Sequence, residues 1–365
     1  MRGRHRFAIP FLQYLDTHGE VDVPLPAWTS DIERLQKLYE QMVLARTLDQ
    51  KAVALQRTGQ LGTYPSTLGQ EAVGVAIGLA MQADDVLVPY YRDAIAQILR
   101  GMPPENILLF WGGEERGSDP GGASQDFPPC VPVATQLSHA AGVATAMKLR
   151  NESRVTLVTC GDGATSKGDF MESLNLAGVW QLPLVVVINN NQWAISVPLK
   201  QQTAAQSLAQ KAIAAGIDGT QVDGNDVIAV YDAVKTALDK ARKLRQPSLI
   251  EAVSYRLSDH TTADDASRYR DQKELNVHWA EEPIGRFQHF LHTRGYWDEA
   301  REKALQAHCR ETVEAVVAAY LAAKAENPEA IIDYLYAFLP AALEEQREAI
   351  GRKAEVLNGQ ENPGA

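Results

Sequence analysis

The sequence predicts an α/β fold: a parallel sheet flanked by helices, with helical additions at both ends. Three observations point to it. Residues 155–160 and 184–188 are short, apolar, β-branched runs, the signature of strands buried on both faces. Between them, residues 168–179 have the length and pattern of one helix, closed by Gln181, Leu182 and Pro183. Strand, helix and strand in that order form a right-handed crossover unit. With 365 residues, 45% of them hydrophobic, the chain can bury a large core as one domain.

Taken in order, residues 1–29 carry Pro10, Pro24 and Pro26 and read as an extended N-terminal arm. Residues 30–340 read as the main domain. Ser30 with Glu33 makes a capping-box start, after which Ile32, Leu35, Leu38, Tyr39, Met42 and Val43 recur at helical spacing as far as Gly59. Gly69 to Ala72 opens a helix rich in small residues (Gly74, Ala76, Gly78, Ala80), suited to close packing. Residues 86–88 form a short strand, with a further helix to Arg100, and 112–129 is a glycine- and proline-rich loop. A small-residue helix over 138–149 leads into the first apolar strand. After Asn191 come a loop and helix (203–215), a strand end at 221–224, a helix over 226–244 and a strand over 248–253. Residues 256–273 are polar without periodicity and read as a mobile lid. The remainder is mostly helical, with 341–365 as a fraying C-terminal tail.

The two strand tips carry the chemistry. Gly161-Asp162-Gly163 ends the first run and Asn190-Asn191 the second, so both lie at the carboxyl ends of neighbouring parallel strands, where open α/β sheets bind ligands. A carboxylate and an amide oxygen are hard ligands suited to Mg²⁺ and not to zinc or copper. Gly161 and Gly163 permit close backbone approach to a diphosphate, and the N–H groups from Ala164 onward can donate to it. Either motif alone is an ordinary turn. The pair, at the two ends of one crossover unit, reads as a metal–diphosphate clamp.

The extended stretches Gly161-Asp-Gly-Ala-Thr-Ser-Lys-Gly-Asp-Phe170 and Asn189-Asn-Asn-Gln-Trp-Ala-Ile-Ser196 resemble the thiamine-diphosphate signature of 2-oxo acid dehydrogenases, in the alpha chain of their decarboxylating component. Residues 62–72, 89–93, 132–136 and 255–265 resemble the same family, in family order. The resemblance implies the thiamine-diphosphate-binding fold. It places Asp162, Asn191 and the carbonyl of Trp193 around Mg²⁺, and Tyr91 and Arg92 against the cofactor, with Tyr90 competing for the place of Tyr91. It makes Arg256 a phosphate ligand and His260 a contact to the diphosphate and the active centre. A histidine in a polar loop is expected to titrate near neutrality. The backbone of Val133 matches a position that holds the aminopyrimidine. Thr135, Gln136 and the carbonyl of Cys130 match a K⁺ site, although a helix-capping role for the two side chains fits equally. Thr261 stands where some relatives carry a regulatory serine.

The same resemblance implies an obligate α₂β₂ heterotetramer whose beta subunit supplies the glutamate that activates the cofactor, and delivery of the acyl group to the lipoyl group of an acyltransferase component. Pyruvate is the favoured substrate and a branched-chain 2-oxo acid the alternative. Pro65, standing where some pyruvate enzymes have histidine, leaves that pocket less polar. A split transketolase half and a non-catalytic scaffold are the rival readings; the first lacks a further basic cluster for a sugar phosphate, and the second is opposed by the intact Asp162, Asn191, Arg92 and His260.

Net charge of −11 and the absence of a lysine–arginine stripe argue against nucleic acid as a partner. No run approaches the roughly 18–20 apolar residues of a membrane span. The basic start 1–6 is followed by no apolar core of signal-peptide length, and Cys130, Cys160 and Cys309 form no CxxC pair, which favours a reducing cytoplasm.

Overall fold

The computed structural model describes residues 7–121 and 125–360, with side chains to 354. The basic start 1–6, residues 122–124 of the glycine–proline stretch and the final 361–365 lie outside the described residues. Six strands build one sheet: β1 (Phe11–Leu12), β2 (Val86–Val88), β3 (Thr156–Gly161), β4 (Leu184–Asn190), β5 (Asp218–Asp223) and β6 (Ser248–Val253). Their order across the sheet is β1-β5-β6-β4-β3-β2, and every pairing is parallel.

Because helices cover both faces, the central strands are apolar throughout, and alternate side chains enter two separate cores. Leu157, Val185, Val187 and Ile250 point into one, against the helices Ile32–Arg57, Glu71–Ala80 and Val227–Leu244. Val158, Cys160, Val186, Ile188 and Leu249 point into the other, against Thr135–Leu149 and Gly168–Trp180. The small residues of the Glu71–Ala80 helix serve helix packing. A Cβ on Gly74 would sit 2.6 Å from Ile95 Cγ2, and one on Gly78 2.7 Å from Leu99 Cβ.

Four local expectations are revised. The arm is part of the sheet, since Phe11 and Leu12 pair with Gln221 and Val222 as an edge strand. Ser30 does not cap the first long helix. Its hydroxyl donates to the Ala27 carbonyl, and the cap is Asp31, which accepts from Arg34 N at 3.1 Å. A helix not expected from the sequence spans Pro104–Trp111, with proline in its first turn, where a missing N–H costs nothing. The 256–273 stretch is tied down: Arg256, Leu257 and Ala266 are buried and Arg270 Nη1 donates to the Ser258 carbonyl at 3.0 Å. Most of its polar groups bond one another or the neighbouring loops, although the buried Arg256 Nε has no partner, and composition alone does not reveal this.

The chain divides into two compact units between Tyr320 and Leu321. The second contains the helices Ala330–Asp333 and Ala341–Gln360, joined by an exposed Arg347–Asp333 ion pair at 2.5 Å. Among the described residues, no helix is long and apolar enough to cross a membrane.

Candidate active site

β3 and β4 run in register, with Gly161 beside Asn189. Asp162 is therefore one residue beyond the end of β3, and Asn191 two residues beyond its neighbour on the adjacent strand. Neighbouring strands lie about 4.8 Å apart, so the two side chains share one edge of the sheet. Asp162 opens a tight helical turn over Asp162–Ser166, and Thr165 Oγ1 donates to its carbonyl at 2.8 Å. Lys211 Nζ holds the far end through the Thr165 carbonyl at 2.5 Å. Gly163 is required by contact: a Cβ there would sit 2.8 Å from Ala194 Cβ.

Asn191 Nδ2 donates to Gln70 Oε1 at 2.9 Å, and its Oδ1 accepts from Trp193 N at 3.3 Å, a backbone donor that settles the amide's orientation and leaves the second lone pair of Oδ1 for a ligand. The following loop turns sharply, with Gln192 at φ 72° and Ile195 at φ 55°, and pairs Trp193–Ala194 with Val197–Pro198. A β-branched residue in the left-handed region is strained, and such strain concentrates at binding sites. The Trp193 indole is core, packed with Tyr255 and Leu257 and bonded to the Tyr255 hydroxyl at 3.1 Å. Only its carbonyl is left for a ligand role, and it lies 3.5 Å from Arg256 Nη1.

Two arginines converge on one imidazole. Arg92 Nη2 lies 3.0 Å and Arg256 Nη1 3.3 Å from His260 Nδ1. A guanidinium can only donate, so Nδ1 accepts and the proton resides on Nε2. Burial and the two positive charges push the His260 pKa down to about 4, correcting the near-neutral expectation. Both guanidiniums are buried, 5% and 0% exposed, and their remaining bonds go to neutral oxygens: Ser66 O and His260 O for Arg92, Ile195 O and Tyr269 Oη for Arg256. Among the described residues, neither forms an ion pair with a carboxylate. Buried cations are ordinarily paired, so this arrangement asks for an anion.

These facts fix a pH dependence. Unfolded, His260 takes up a proton near 6.5, whereas folded it does so near 4. Its contribution to stability is complete above pH 6.5 and is lost as pH falls from there toward 4. NMR of the cofactor-free protein is expected to show a neutral imidazole at pH 5.5, and addition of pyrophosphate to raise its pKa. An imidazole that titrates at 6.5 without an anion would contradict the geometry.

The two strand ends and the Arg92–His260 pair border a cavity of about 240 Å³. Tyr91, Arg92, Gly161, Asp162, Gly163, Ala164, Asn191, Trp193 and His260 line it, as does half-exposed Val133. Arg256 does not line it, and reaches it from behind through His260 and the 193–195 carbonyls. Tyr90 and Tyr91 both contribute, and the Tyr90 hydroxyl accepts from Asn189 Nδ2 at 3.2 Å. Ala134, at φ 71°, turns the backbone beside Val133 into the helix Thr135–Leu149, which has no side-chain cap, so the capping role proposed for Thr135 and Gln136 is not realised. Gln136 Nε2 donates to Thr159 O at 2.9 Å, while its buried Oε1 has no partner.

Asp162 is 1% exposed, and burial raises its pKa against the opposing effects of a 2.6 Å hydrogen bond from Gln202 and the charges of Arg256 and Arg92. Among the described residues no group of three or more His, Cys, Asp or Glu could hold a metal. A cation here would draw on Asp162, the Asn191 amide and a carbonyl, with the rest of its shell from outside the chain, as Mg²⁺ does with phosphates. Sequence reasoning missed Gln70 and Gln202. Both lie inside family-like stretches, Gln70 in 62–72 and Gln202 in 200–203, but neither stretch gives its glutamine a role.

The dehydrogenase E1 component family model matches residues 39–330. The chain is 41% identical over 319 residues to the 3-methyl-2-oxobutanoate dehydrogenase subunit alpha of Mycobacterium tuberculosis, covering 87% of each chain. It is 41% identical over 321 residues to the pyruvate dehydrogenase E1 component subunit alpha of Acholeplasma laidlawii, covering 87% of this chain and 92% of that one. Against the protein of the same name from Staphylococcus aureus it is 38% identical over 346 residues, covering 94% and 93%. A parallel sheet with an anion-demanding, oxygen-rich cleft at its carboxyl edge accords with these likenesses, and the chain belongs to the dehydrogenase E1 component family, among the alpha subunits of 2-oxo acid dehydrogenases.

Proposed function

We propose that this chain binds thiamine diphosphate and Mg²⁺ and, with a beta subunit in an α₂β₂ assembly, decarboxylates pyruvate and passes the acyl group to the lipoyl group of an acyltransferase component. One observation carries the reading: two buried guanidiniums without carboxylate partners converge beside Asp162 and Asn191 at the edge of a parallel sheet. Arg92 meets the diphosphate, whose oxygens suit an arginine fork, and Arg256 adds its positive charge from behind His260. Asp162, Asn191 and the Trp193 carbonyl hold the metal. His260, neutral and protonated on Nε2, offers a hydrogen bond to an anion without competing for a proton. Tyr91 and Val133 supply the cavity's walls. The cofactor, when bound, supplies the electron sink for decarboxylation.

Asp162 is the one carboxylate among the residues lining the cavity, and it is committed to the metal. The glutamate that activates the cofactor then comes from the beta subunit. The alpha chain purified alone should give negligible turnover. The unpartnered Gln136 Oε1, with Thr135 and the Cys130 carbonyl, favours a K⁺ site beside the cavity. Three free thiols favour a reducing compartment such as the cytoplasm.

A branched-chain 2-oxo acid is the second reading, favoured by Pro65 and by the mycobacterial relative. Co-expression with a beta subunit and assay against pyruvate and 3-methyl-2-oxobutanoate with an artificial electron acceptor separates the two. A hydrophobic difference of one or two methyl groups changes kcat/KM by about 10- to 200-fold. A preference of that size for pyruvate is expected, and the opposite preference would reverse the substrate assignment.

A further inference from the structure

We infer that Gln202 is a positioning residue for the divalent ion, an inference that rests on the metal reading of the site above. Gln202 ends the short helix Leu199–Gln202, which the 193–198 hairpin folds back against the Asp162 turn. Its Nε2 donates to Asp162 Oδ2 at 2.6 Å and to the Val197 carbonyl at 3.0 Å. Both partners are pure acceptors, so the amide orientation is determined and both N–H hydrogens are used.

Its Oε1 is buried and has no hydrogen-bond partner. A glutamine with a purely structural task would leave no open acceptor in the interior, because an unsatisfied buried oxygen costs free energy. An open acceptor on the same carboxamide that grips a metal ligand is satisfied when a hydrated cation arrives. The contact also joins the two strand-end loops. It ties the segment after Asn191 and Trp193 to Asp162, so the ligands from β3 and β4 are held in one arrangement before metal binds. Groups that orient metal ligands in this way typically change affinity 10- to 100-fold when removed.

The test uses the assembled α–β enzyme freed of metal, titrated with Mg²⁺ by calorimetry in the presence of thiamine diphosphate, alongside melting of the metal-free form. Gln202→Leu should weaken Mg²⁺ binding about 10- to 100-fold while the metal-free melting temperature stays near that of the parent. Gln202→Met, of the same length but without the carboxamide, should weaken Mg²⁺ binding relative to the parent to the same extent, and it carries the test if Gln202→Leu fails to assemble. Asp162→Ala is the control. If it loses Mg²⁺ binding while Gln202→Leu binds like the parent, the role of Gln202 falls alone. If Asp162→Ala also binds like the parent, the metal reading falls and this inference with it. Losses in both Gln202 variants matched by a drop in metal-free stability would make the residue merely structural and overturn the proposal.

Discussion

Asp162→Ala is expected to abolish metal-dependent retention of thiamine diphosphate by the assembled enzyme, and with it turnover, while leaving the fold intact. Losing the one charged metal ligand removes several kcal/mol of charge stabilisation, so a fall in kcat/KM of about 10³-fold or more is expected. Stability should move the other way. The carboxylate is buried at the end of β3 and its pKa is raised by that burial. An acid whose folded pKa is raised is better tolerated protonated. Its favourable contribution is present below the unfolded value and is lost as pH rises through the folded value. Without metal, then, wild-type protein should gain stability on mild acidification from this group, and Asp162→Ala should melt no lower than wild type. Saturating Mg²⁺ and thiamine diphosphate should reverse that order, because a ligand that binds only the folded state stabilises it by mass action. Thermal melts with and without the pair, together with calorimetric binding, check both halves. Undiminished cofactor retention by Asp162→Ala would remove the proposed ligand.

Much of this site was legible because its two strands are buried on both faces. Such strands must be continuous apolar runs, so residues 155–160 and 184–188 announce themselves, and the polar tips that follow stand out against them. β1 lay hidden for the opposite reason. Two residues on a sheet edge, Phe11 and Leu12, carry no pattern, and only pairing with Gln221 and Val222 makes them a strand. The first long helix was readable from its apolar spacing, but not its cap. Asp31 and Ser30 are both suitable residue types, and which one caps depends on the preceding 3-10 turn. His260 is the instructive case. Its loop is polar, yet Arg92 arrives from a distant part of the sequence and Arg256 from four residues before, and together they suppress its protonation. Residue type told what His260 can do; only the convergence of the two arginines told its charge. Gln202 sits in the family-like stretch 200–203, but its role was illegible, since a glutamine beside a turn is unremarkable until the fold sets it 2.6 Å from Asp162.

Those arginines set the second large expectation. Arg92→Met should weaken diphosphate binding by about 10²- to 10³-fold, because removing one partner of a buried charge pair costs about 3–5 kcal/mol, and Arg256→Met, whose guanidinium stands behind His260 and the 193–195 carbonyls, should weaken it less. Inorganic pyrophosphate suffices as the probe, so the measurement does not depend on catalysis. Arg92→Lys should fall between wild type and Arg92→Met, since lysine keeps the charge but loses the planar fork that bonds Ser66 O and His260 together. A second readout follows from the same electrostatics. Arg92 is the largest charge effect holding His260 down, after burial itself. Arg92→Met should therefore let the His260 pKa rise from about 4 toward its ordinary range in the ligand-free protein. Bound pyrophosphate should raise it in wild type by supplying the missing negative charge. If both variants bind pyrophosphate like wild type, the guanidiniums serve only to hold the 256–273 segment in place. A shifted imidazole with undiminished binding would show that the arginines face each other for structural reasons alone. The joint outcome, weaker anion binding with a more basic His260, is what two uncompensated cations around one neutral imidazole require.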